Sequence, residues 1–190
     1  MRVITTDIEG VFILEPEAYS DARGYFFEAF SESRFRELTG IATRFVQDNE
    51  SRSRAGVVRG LHFQRAPHVQ SKLVRVIEGE ILDIAVDIRR GSPTFGRSVA
   101  VRLSGDNRRQ LFVPRGFAHG FVALSEAIVA YKCDDYYAPD CEGSIRWDDT
   151  TLAINWGIEP SEAILSAKDL ASPTLDECGD LFDYNVDYYA

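Results

Sequence analysis

A chain of 190 residues with 45% hydrophobic and 27% charged residues is long enough to bury a substantial core without disulfides or a structural metal, and lies far from disordered or fibrous compositions. A net charge of −9 argues against a nucleic-acid-binding surface, while leaving room for an anionic small ligand held by a few arginines. No apolar run approaches the ~20 residues of a membrane span or opens the chain as a signal peptide would, so no membrane partner is expected.

In chain order, Ser31–Thr39 reads as a short helix with Ser31 as its N-cap. From Val57 to about Ile145 the sequence changes to β-branched and aromatic runs separated by turn residues. The predicted strands are Val57–Gln64, Lys72–Glu78, Ile81–Asp87, Arg97–Leu103, Gln110–Val113, Gly120–Leu124 and Ile128–Asp134. Glu78-Gly79-Glu80 and Ser104-Gly105-Asp106-Asn107 supply turns. A second helical patch, Ser161–Leu170 with Ser161 as N-cap, precedes an acidic, tyrosine-rich tail, Leu181–Ala190.

So many short strands in a row predict an all-β barrel or jelly roll with short helices near its two ends. No repeat, low-complexity run or linker divides the chain. One domain is expected, with an N-terminal arm at about 1–50, a barrel at about 51–150 and a C-terminal segment at about 151–190. Cys133, Cys141 and Cys178 are odd in number and lack CxxC spacing, which fits reduced thiols in a cytoplasm.

The histidines are His62, His68 and His119. In VVRGLHFQ, alternation groups Val58, Gly60, His62 and Gln64 on one face and Val57, Arg59, Leu61 and Phe63 on the other. His62 thus shares a face with small and polar groups, as a cavity residue would, although an ordinary hydrogen-bonded interior histidine fits equally well. Arg59 reaches the same cavity only if Gly60 bends or bulges the strand. Lys72 opens KLVRV on one face with Val74 and Val76, where a buried ammonium needs an anionic partner or ligand. His119 follows the Pro114–Gly116 turn and can serve as a metal ligand or a substrate hydrogen-bonder. The His-x-His pair of metal-binding β-barrels is absent, Gln64 standing at its second position, so His62, Glu78 and His119 form only a sparse metal set. Tyr131, Tyr136 and Tyr137 place phenols around a late strand and its exit. No GxSxG, GxGxxG, GxxxxGK[ST] or HExxH motif occurs, which leaves proton transfer or binding.

The segments DARGYFFEAF, FVQDNES, GVVRGLHFQ, KLVRVIEGEILDIAVDIRRGSPTFG, FVPRGFAHGFVALS, YKCDDYYAP, IRWDD and LSAKD run in order from about Asp21 to Asp169. Together they resemble the dTDP-4-dehydrorhamnose 3,5-epimerases of deoxysugar biosynthesis. The resemblance implies a cupin jelly-roll homodimer with a dTDP-4-keto-6-deoxy sugar inside each barrel. It also implies an N-terminal strand that joins the partner's sheet, and no metal or organic cofactor. By position in the motifs, His62 is the proton acceptor, Asp169 the carboxylate that orients it, Tyr131 the proton donor and Lys72 the group facing the keto oxygen. Arg23, Arg59 and Lys168 fall to the diphosphate. Glu28, Gln47, Asp48, Asn49, His119 and Glu142 match further substrate contacts.

That set is chemically coherent. A proton beside a ketone becomes acidic when a fixed cation stabilises the enolate oxygen, and inversion needs a base on one face and an acid on the other. Two other readings share these residues: a single-carbon epimerase or keto-isomerase on a related dTDP-sugar, and a non-catalytic cupin that binds a sugar nucleotide.

Overall fold

The computed structural model describes residues 1–179 and 181–190. Two hairpins open the chain, β1 (Arg2–Thr5) with β2 (Phe12–Glu15) and β3 (Ala18–Asp21) with β4 (Gly24–Phe27), followed by helix α1 (Glu32–Thr39). Next come β5 (Gln47–Ser53), β6 (Val58–Gln64), β7 (Lys72–Glu78), β8 (Glu80–Asp87) and the short β9 (Arg89–Arg90). The strand-rich part ends with β10 (Ser98–Ser104), β11 (Gln110–Val113), β12 (Phe117–Ala123), β13 (Ala127–Cys133) and β14 (Glu142–Ser144). Helix α2 (Ala167–Leu170) and β15 (Phe182–Asp183) follow.

Two antiparallel sheets carry the fold, one in the order β1-β2-β11-β7-β13-β5 and the other β10-β8-β12-β6-β14. This is the expected all-β jelly roll. It reaches further than the predicted strands do, because β1, β2 and β5 all join the six-stranded sheet.

The packing explains why β11 and β12 read as nearly continuous apolar runs: the central strands of each sheet are covered on both faces, while the edge strands β5 and β10 expose alternate residues. Between the sheets, Val74, Val76, Leu111 and Val129 meet Ile81, Leu103, Phe117 and Phe121. Outside the six-stranded sheet, Phe12, Leu73 and Phe112 pack beneath Phe35 of α1, whose complete burial contributes roughly 2–3 kcal/mol. Outside the five-stranded sheet, Leu61, Phe63 and Val122 pack against Trp147, Trp156 and Leu175 from the chain that follows β14. Helix α1 is capped as its sequence predicts: the Ser31 hydroxyl accepts from the Arg34 amide, and Gly40 closes the other end at a φ of 72°.

The second helical patch differs from expectation. Pro160–Glu162 form only a 3-10 turn, and Ser161 is not its cap. The Ile164 amide donates to the Gly56 carbonyl, and its own carbonyl accepts from Val58, so this backbone is committed to β6 rather than to a helix. The helix begins at Ala167 with Ser166 as N-cap.

Strict alternation also fails in β6. His119 pairs with His62 while Phe121 pairs with Arg59, so two steps along β12 match three along β6. The extra residue is a bulge at Gly60, and it turns Arg59 and His62 toward the same space.

Candidate active site

Hydrophobic side chains fill one part of the space between the sheets and polar ones line the rest. On β5 the inward residues Gln47, Asn49 and Ser51 are half-buried, while Asp48 and Glu50 point out. With β6, β7, β12 and β13 they enclose two adjoining lobes of about 230 and 260 Å³. His62, Lys72 and Tyr131 line both.

His62 sits at a rung centre, with His119 opposite on β12 and Ser144 opposite on β14. Its Nε2 lies 2.6 Å from Asp169 Oδ1, across 107 residues of sequence. Asp169 is itself held: the Ser166 hydroxyl donates to Oδ2 at 2.8 Å, and the Asp169 amide donates back to Ser166 at 3.1 Å. Burial would raise the Asp169 carboxyl, but the hydrogen bonds from His62 and Ser166 outweigh it and hold it below the usual carboxylate range. A carboxylate accepting from Nε2–H leaves the lone pair on Nδ1 of the neutral ring, which makes Nδ1 the basic atom.

Lys72 is half-buried, its side chain lining both lobes of the cavity. Burial pushes its ammonium well below the ordinary lysine value, against the opposing pull of Cys133, Asp83 and Glu142. Its Nζ lies 6.0 Å from the Tyr131 ring centroid. Burial raises the Tyr131 phenol, so it stays protonated across neutral pH, and burial likewise raises the Cys133 thiol to about 11.

His119 is buried, its Nε2 held 2.8 Å from Asp83 Oδ1. At the mouth, Glu142 Oε2 accepts from Lys168 at 2.6 Å and from Tyr137 at 2.8 Å. Burial would raise the Glu142 carboxyl, and these two hydrogen bonds bring it below its usual value. Arg59 donates from Nε to the Ser53 hydroxyl at 3.1 Å, which fixes its fork at the rim of the larger lobe.

The structure therefore gathers His62, Tyr131, Asp169, Lys72, Gln47, Asn49, Arg59, His119, Glu142 and Lys168 around one cavity. Three expected residues lie elsewhere. Asp48 faces outward and pairs with Lys132 at 2.8 Å, because alternation on β5 separates it from its neighbours. Glu28 lines, with Asp48, an outer groove of about 560 Å³. Arg23 sits in the β3–β4 turn, paired to Asp21 at 2.5 Å, on a hairpin that joins neither large sheet. The metal set does not assemble either: Glu78 is exposed at the far end of β7, and no group of three His, Cys, Asp or Glu suited to a metal exists among the described residues. Asp83 was missed, and its signal was a lone acid inside the apolar run ILDIAV.

Comparison with known proteins shows the family. A family model described as dTDP-4-dehydrorhamnose 3,5-epimerase matches residues 5–177. The enzyme of that name from Salmonella typhimurium is 53% identical over 178 residues, covering 93% of this chain and 97% of its own. That from Methanothermobacter thermautotrophicus is 55% identical over 170 residues, covering 88% and 91%. Among solved structures, a dTDP-6-deoxy-D-glucose-3,5-epimerase from Legionella pneumophila in complex with dTDP-4-keto-L-rhamnose superposes with a TM-score of 0.93 at 51% identity, covering 97% of this chain and 99% of that one. A histidine–aspartate couple, a half-buried lysine and a half-buried phenol in a jelly-roll cavity thus coincide with likeness over nearly the whole chain, which belongs to the dTDP-4-dehydrorhamnose 3,5-epimerase family.

Proposed function

We propose that the protein inverts both carbons flanking the ketone of dTDP-4-dehydro-6-deoxy-α-D-glucose, giving dTDP-4-dehydro-β-L-rhamnose for dTDP-L-rhamnose biosynthesis. The observation that carries this reading is the convergence of His62–Asp169, Lys72 and Tyr131 on one cavity. With the 4-keto oxygen against Lys72, His62 Nδ1 takes the proton from the adjacent carbon. The Lys72 ammonium stabilises the negative charge that develops on the enolate oxygen as the proton leaves. Tyr131 then returns a proton to the opposite face of that carbon, and the cycle repeats at the second carbon. Every step is a proton transfer between named groups, so no cofactor is required.

Arg59 and Lys168, at the rim, suit the diphosphate. We assign Arg23 and Glu28 to the site of a second subunit, reached when the β3–β4 hairpin extends a partner's sheet. Phe26, 72% exposed, gives that hairpin an apolar face. Light scattering tests the homodimer. The unpaired cysteines accord with a cytoplasmic location.

The deciding experiment follows solvent exchange by proton NMR in heavy water, with the nucleotide sugar and a chelator, for wild type and His62→Ala. Loss of signal at both flanking carbons in wild type alone is expected. Exchange at one carbon makes the protein a single-carbon epimerase, and no exchange overturns the reading.

A further inference from the structure

Lys72 lies at the start of β7, in a rung running from Val113 of β11 through Lys72 to Cys133 of β13 and Gln47 of β5. Beyond this rung the ladder stops, because Pro114 and the Arg115–Gly116 turn end β11. Asp134, whose side chain is fully buried, closes the open end. Its carboxylate accepts from the Ser71 amide at 2.6 Å, the Ser71 hydroxyl at 2.5 Å, the Thr43 hydroxyl at 2.6 Å and Arg115 Nε at 3.1 Å.

Arg115 is gripped from outside by the tail. Its Nη1 donates to the Tyr188 carbonyl at 2.6 Å, its amide donates to the Tyr189 hydroxyl at 3.1 Å, and its guanidinium lies 5.1 Å from the Tyr189 ring centroid. The tail is anchored in turn: β15 pairs in parallel with β9, and the Tyr188 ring meets Phe182 edge-on at 5.2 Å. The family match ends at residue 177, so the tail's part of this clasp, Phe182–Tyr189, lies beyond it, while Arg115, Asp134, Ser71 and Thr43 lie within it.

We propose that the segment Phe182–Tyr189 is a positioning element for the reaction. By pressing Arg115 onto Asp134 it fixes the last rung of the six-stranded sheet, and with it the place of Lys72. The inference rests on Lys72 being the cation that faces the keto oxygen. Tyr189 and Arg115 act through Asp134 and Ser71 and touch no substrate. Loosening the clasp lets water reach the base of the barrel, where Lys72 faces His62, Asp83, His119, Tyr131, Cys133 and Glu142.

Lys72, Lys132 and Lys168 are the only lysines, so full-length protein labelled with ¹³C at lysine Cε gives three side-chain signals, and Lys72→Met assigns one. In Tyr189→Ala the Lys72 titration midpoint is expected to move up toward the ordinary 10.5 while Lys132 and Lys168 stay in place. The kcat is expected to fall about ten-fold at unchanged KM, with its pH profile moving alongside the lysine. Tyr189→Phe, which keeps the ring, shows a smaller shift in the same direction and decides the matter if the alanine variant does not fold. An unmoved Lys72 signal in folded variant protein, or a change confined to the melting temperature, overturns the proposal. The titration is read without substrate, so wild-type protein inactive on the nucleotide sugar would count against the reaction alone.

Discussion

Gly60 and Gly120 approach each other across β6 and β12 so closely that a Cβ on Gly60 would stand 2.6 Å from the Gly120 Cα. Gly60 also adopts a φ of 130°, a conformation that L side chains rarely take. This contact is where the bulge forms that brings Arg59 and His62 to one cavity. Gly60→Ala is therefore expected to destabilise the fold by about 3 kcal/mol through strain and overpacking. Urea denaturation checks the stability. Retained kcat/KM in the folded fraction would show that the bulge does not set the places of His62 and Arg59.

Asp169→Asn should lower kcat by about 10²- to 10⁴-fold with little change in KM, because the amide no longer fixes the His62 tautomer. Its stability effect depends on pH. The Asp169 pKa is depressed in the folded state, so the stability it contributes is present above its unfolded value and is lost as pH falls through the folded one. Thermal melts of wild type and Asp169→Asn should differ at neutral pH and converge below about pH 4. A constant gap across that range would contradict the assignment.

Much of this site was visible in the sequence because its residues sit on strands whose alternation and turns are local properties. Lys72 needed nothing beyond its strand position to be placed inward, whereas His119, read in the turn before the strand Gly120–Leu124, and Tyr131 owed their roles to family likeness. Arg59 was the exception, since a bulge shifts parity and only the facing Gly120 explains it. Partnerships across long separations were beyond local reading: Asp83 against His119, and Asp134 against Thr43 and Arg115, depend on which strands become neighbours. Ser161 was read as the cap because nothing local shows that Ile164 is taken by β6. Arg23, Glu28 and Asp48 came from family likeness alone, and within one chain they stay outside the cavity.

Lys72→Met should abolish turnover and yet stabilise the protein by about 1 kcal/mol at neutral pH. Burial depresses the lysine pKa, so between the folded value and about 10.5 the unfolded chain binds more protons, and wild type loses stability as pH falls through that window. Methionine has a similar shape and no charge to desolvate. Melting temperatures recorded from pH 7 upward should show the variant's advantage shrinking toward pH 10. A variant less stable than wild type at pH 7 would mean that the ammonium is better compensated by Asp83 and Glu142 than burial implies.

Tyr131→Phe separates the two halves of the reaction. The phenol is assigned to reprotonation, while removal of the first proton belongs to His62 and Lys72, which the substitution leaves in place. Solvent deuterium should therefore still enter the carbons beside the ketone, returned by His62 from the face it was taken from. Inverted product should fall by about 10²- to 10⁴-fold. Exchange and inversion are read in one NMR time course, so their ratio is free of errors in enzyme concentration. If both rates fell together, Tyr131 would act in proton removal or in binding. If neither changed, the acid would be another group on the cavity wall, and the hydroxyl of Tyr137, exposed at the mouth and bonded to Glu142, would be the next to replace.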